Sequence, residues 1–68
     1  MARLYRLLTE DDTPAFCHKI SAALAAGWQL HGGPAMAFDP VRGVMRCAQA
    51  VTKDIPGDYA PDMKLGEQ

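Results

Sequence analysis

The stretch AAGWQLHGGPAMAFD, residues 25–39, decides how this chain reads. Trp28 and Leu30 alternate with Gln29 and His31, the two-residue period of a strand. Gly32, Gly33 and Pro34 then break the regularity, because glycine has no side chain to pack and proline has no N–H to donate. The spacing predicts a bulge or bend at that point, with AMAF continuing the same strand. Upstream, Gly27 is a natural stop for a helix, since it accepts the left-handed backbone that a helix end requires.

Working outward, the residues before Gly27 carry a helical period. Phe16, Ile20, Ala23 and Leu24 fall within one arc of a helix, with Cys17 at its edge and His18, Ser21, Ala22 and Ala25 opposite. Asp11, Asp12 and Thr13 are all competent N-caps, and Pro14 fits only a first turn. Before them, RLYRLLT (residues 3–9) alternates as a half-buried strand. After the hairpin signal DPVRG (39–43), VMRCAQAVTK (44–53) is the third strand.

Residues 54–68 differ in character. They carry two prolines, two glycines, four acids and no sustained period. They read as a flexible acidic tail following a β–α–β–β domain over 1–53, with Ile55 and Tyr59 able to touch that domain.

Composition bounds the class. The chain of 68 residues is 49% apolar and 22% charged, which excludes a disordered acidic segment or a basic arm. Net charge is +2 through Lys53 and −3 from Asp54 onward, too balanced for an electrostatic nucleic-acid binder. Arg3, Tyr5, Arg6 and Arg46 supply too few aromatics for a single-strand platform. Cys17 and Cys47 form no disulfide framework, and the opening MARLYRLLTEDD lacks the apolar core of a signal peptide. The expected setting is cytoplasmic, with reduced thiols and no membrane segment.

The expected fold is α+β: one helix packed on a three-stranded antiparallel sheet, with strand three central and a right-handed crossover through the helix. Tyr5, Leu7, Trp28 and Leu30 are expected beneath the helix. The opposite face would hold Leu4 and Leu8 with either Val44, Ala48 and Ala50 or Met45, Cys47 and Val51. Either set is largely apolar, and a core this small supplies only about 3–5 kcal/mol without outside help. A homodimer or larger homo-oligomer is therefore expected, with Leu4, Leu8, Ala48 and Ala50 on the self-association face. An unidentified protein partner remains open.

Candidate chemistry is sparse. Asp11 and Asp12 suit helix capping better than catalysis, and Cys17, His18, His31 and Cys47 match no zinc spacing. No nucleophile elbow, Walker loop or dinucleotide fingerprint is present. The expectation is a non-enzymatic module without metal or cofactor. Trp28 and Gln49, on adjacent strands, are the candidate ligand-binding pair, an indole and an amide able to meet a flat molecule. The competing reading makes them packing residues.

Three ordered motifs carry a resemblance. Tyr5 to Thr9 (YRLLT), then Ala25, Gly27, Trp28, Leu30, Gly32 and Gly33, then Gln49, Ala50 and Lys53 resemble the DUF1737 family of small bacterial domains of unknown function. The likeness covers nearly all of residues 4–53. It implies a β–α–β–β domain and no reaction or cofactor; Pro34, directly after the glycine pair, departs from the pattern and favours a bend. A looser likeness, of architecture only, is to dodecins. These flavin-binding oligomers use a tryptophan and a glutamine on successive strands, which Trp28 and Gln49 echo.

Overall fold

The computed structural model describes residues 1–67. Strand β1 (Ala2–Asp11) leads into helix α1 (Pro14–Ala25), followed by strands β2 (Gln29–Asp39) and β3 (Val44–Ile55) and a 3-10 turn at Leu65–Glu67. The sheet order is β1-β3-β2, with both pairings antiparallel, so β3 is central. The order β–α–β–β and the two-layer α+β architecture are as the sequence predicts.

Both ends of α1 follow from local chemistry. The Thr13 hydroxyl accepts a hydrogen bond from the Ala15 N–H, and Pro14 opens the first turn. At the other end Gly27 has φ +95°. Its N–H donates to the Leu24 carbonyl, and the Trp28 N–H donates to the Ala23 carbonyl. This is a Schellman closure, which turns Trp28 back onto Ala23. Both residues are buried in one cluster with Leu4, Leu8 and Val51, against which Ile20, Ile55 and Leu65 pack.

Pairing parity decides the faces. Leu4 pairs with Lys53, Arg6 with Val51, Leu8 with Gln49 and Glu10 with Cys47, which puts Leu4 and Leu8 on the side of Cys47, Gln49 and Val51. That side lies under α1. The expectation for β1 is therefore corrected. Leu4 and Leu8 are core residues at 2% and 6% exposure, not part of a self-association face. Tyr5 and Leu7 take the open side, at 55% and 56% exposure. Both rows of β1 mix apolar and charged residues, so alternation alone does not tell them apart. Ala48 and Ala50 do lie on the open side, in the row of Val44.

The third strand runs to Ile55, which pairs with Ala2, two residues past the expected end. Within the expected tail, Leu65 packs on the core cluster and Gly66 lies beside the Arg6 guanidinium. Gln68 lies outside the described residues.

Lengths explain what α1 leaves bare. Its 12 residues span about 18 Å at 1.5 Å each, whereas the 12 residues of β3 reach about 40 Å. The molecule is correspondingly elongated, at 42 × 22 × 19 Å. One short helix cannot roof three long strands.

Candidate interaction surface

The predicted break in β2 is a wide irregularity. His31 pairs with Ala50 and Ala35 with Ala48, so Gly32, Gly33 and Pro34 together stand opposite the single Gln49. Gly32, Gly33 and Pro34 have no partner in the ladder. The two hydrogens of Gln49 Nε2 are shared between the Ala50 carbonyl of β3 at 2.9 Å and the Gly32 and His31 carbonyls of β2 at 3.2 and 3.4 Å. At 4% exposure, Gln49 is the one buried polar side chain among the described residues. An amide rather than a hydrocarbon stands there because a buried carbonyl without a partner is costly.

Trp28 is equally committed to the fold. It is 2% exposed, and the Arg6 guanidinium and the Lys53 ammonium lie over its ring at 5.5 and 5.8 Å from the centroid. The Lys53 stem also lies 3.7 Å from where a Cβ on Gly27 would stand. Long cationic side chains can cover an indole with their stems and keep their charges wet. The candidate ligand pair is thus on one side of the sheet, with both members occupied by the chain itself. Trp28 also lines the open groove between α1 and β1.

A second cluster pins the hairpin to β1. Arg42 clasps Asp11 through two bonds of 2.9 and 2.8 Å, and Arg46 adds a third at 2.8 Å. These hydrogen bonds hold the Asp11 carboxyl below its usual range. Glu10 is held down too, first by the Asp11 backbone N–H and then by Lys19. The Asp39 carboxylate accepts from the Val41 and Arg42 N–H groups and shapes the turn. Asp12 accompanies the start of α1 rather than forming an acid pair with Asp11; its charge, after burial, raises the Cys47 thiol. Cys17 is exposed and Cys47 buried, and both are free thiols.

What remains outside is apolar. On the helix side of β2, Leu30, Met36 and Phe38 are 51%, 56% and 59% exposed, and Met45 of β3 pairs with Phe38 on the same side. Leu24 belongs to the apolar arc of α1 that the sequence places against the sheet, yet it is 46% exposed, and Met36 and Phe38 read from the sequence only as a strand continuation. The available signal was length: three strands of ten or more residues against one helix of 12. The open side holds Tyr5, Leu7, Ala35, Ala37, Ala48 and Ala50 between ionic groups at its two ends, Arg3 with Asp54 and Asp11 with Arg46. Among the described residues, no helix is long and apolar enough to cross a membrane. Among the described residues, no three His, Cys, Asp or Glu side chains gather as metal ligands.

The family model described as a domain of unknown function, DUF1737, matches residues 2–54. No curated protein and no solved structure matches the chain.

Proposed function

This chain belongs to the DUF1737 family, and we propose that it is a non-enzymatic interaction module that self-associates. One observation carries the reading: the fold leaves more large apolar side chains outside than it buries. Leu4, Leu8, Trp28 and Val51 are inside; Tyr5, Leu7, Leu24, Leu30, Met36 and Phe38 are about half exposed. These side chains lie on both faces of the sheet, Tyr5 and Leu7 on the open side and Leu30, Met36 and Phe38 on the helix side. Exposed apolar surface on a small domain marks contact sites, and its burial adds stability that an undersized core lacks. The polar groups with chemical potential support the same reading, because Gln49, Asp11, Arg42 and Arg46 are spent on one another or on the backbone.

Light scattering coupled to size exclusion tests it. The expected result is a mass of two or more chains that falls on dilution. A monomer at every concentration overturns self-association.

A further inference from the structure

The sheet has two edges, and they are not alike. The β2 edge is blunted by Pro34 and by the irregularity at Gly32–Pro34, devices that keep an edge from pairing. The β1 edge has neither. It is a ten-residue strand, ARLYRLLTED, without proline, glycine or bulge, with β3 on one side and no strand on the other among the described residues.

Its outward groups can be identified. The Asp12 N–H donates to the Met45 carbonyl, one step beyond the Asp11–Arg46 pair. By alternation, the even-numbered residues of β1 turn their backbone toward β3 and the odd-numbered ones turn theirs outward. The far end is partly capped. Lys19 Nζ donates to the Thr9 carbonyl at 2.9 Å, and the Asp11 N–H donates to Glu10 at 3.2 Å. Tyr5 and Leu7 receive no such cap among the described residues. On the helix side, this edge borders an open groove of about 870 Å³ whose lining mixes Leu8 and the α1 alanines with Arg6, His18, Lys19 and Trp28.

We infer that a second copy of the chain joins at this edge, β1 against β1 in antiparallel register about Leu7, making one six-stranded sheet. The inference rests on the self-association proposed above and names its seam. Charge identifies the occupant. Arg3 and Arg6 lie in the first half of β1, and Glu10 and Asp11 in the second. A parallel copy would set Arg3, Arg6, Glu10 and Asp11 against their own counterparts, whereas an antiparallel copy brings Arg6 diagonal to Glu10. It also sets Arg3, already paired with Asp54, opposite Asp11, already held by Arg42 and Arg46. Leu7 meets its own counterpart on the two-fold axis, and Tyr5 meets Thr9. The Thr9 carbonyl has a second lone pair, so Lys19 does not close it.

Two measurements on the full chain test this. In a C17S background, L7C should oxidise to a covalent dimer, while A37C, on the same face at the far edge, should not. L7K, exposed and harmless to the core, places two ammonium groups on the axis and should weaken association about tenfold. Wild-type dimers that survive L7K, fail to cross-link through L7C and dissolve in M36S/F38S would overturn the β1 seam and leave self-association standing. A monomeric wild type removes both.

Discussion

The Gln49 side-chain amide donates to the carbonyl of Gly32 across the β2–β3 ladder, 3.2 Å away. It joins two pieces of sequence that stand apart in the chain, the glycine pair and the glutamine of the last strand. The glycines open a gap in the ladder, and the glutamine closes it with a donor that the backbone cannot offer.

Removing that donor should be costly. Gln49→Leu keeps the volume and leaves the His31 and Gly32 carbonyls without their bond, a loss of about 1–3 kcal/mol. Urea melts should show a lower midpoint with an unchanged slope. Gln49→Glu should be worse, since a carboxylate facing carbonyls offers only acceptors.

The two glycines should not be equivalent. Gly32 has φ +73° with nothing within 4 Å of an added Cβ, so Gly32→Ala meets backbone strain alone, about 1–2 kcal/mol. Gly33 has open space and no left-handed φ. Gly33→Ala should stay within about 0.5 kcal/mol of wild type. Thermal melts of the pair check the contrast, and equal losses would contradict it.

Trp28 should behave as a core residue. Its emission should be blue-shifted in the folded protein, poorly quenched by iodide and unchanged by riboflavin once inner-filter absorption is corrected. Arg6→Ala and Lys53→Ala should each cost about 0.5–1 kcal/mol through the lost cation–π contact. Quenching by riboflavin at stoichiometric amounts would revive the ligand-site reading.

Acid should loosen the hairpin clasp. Asp11 and Glu10 titrate below their ordinary values in the folded chain, so their stabilisation is complete above the usual carboxylate range. It fades as pH falls through the lowered values, because the unfolded chain then binds more protons than the folded one. The difference in melting temperature between wild type and Asp11→Asn should be constant from about pH 8 to 5 and shrink below about pH 4. A difference that grew on acidification would reverse the assignment.

Much of this molecule is written locally. Thr13 and Pro14 start α1, Gly27 ends it, and Gly32 to Pro34 break β2, because each acts on backbone within a few residues of itself. Those signals suffice for the order β–α–β–β and for β3 in the middle. Which row of β1 faces inward is not local. Leu4 and Leu8 share their row with Arg6 and Glu10, while Tyr5 and Leu7 share theirs with Arg3 and Asp11. Only the pairing of Leu8 with Gln49, and the cover that Arg6 gives Trp28, choose between two rows of similar polarity. The bare strip along β2 is likewise a tertiary outcome. It depends on where a helix about half the length of the sheet comes to rest, and that is set by packing across the sheet rather than by any neighbour in the chain.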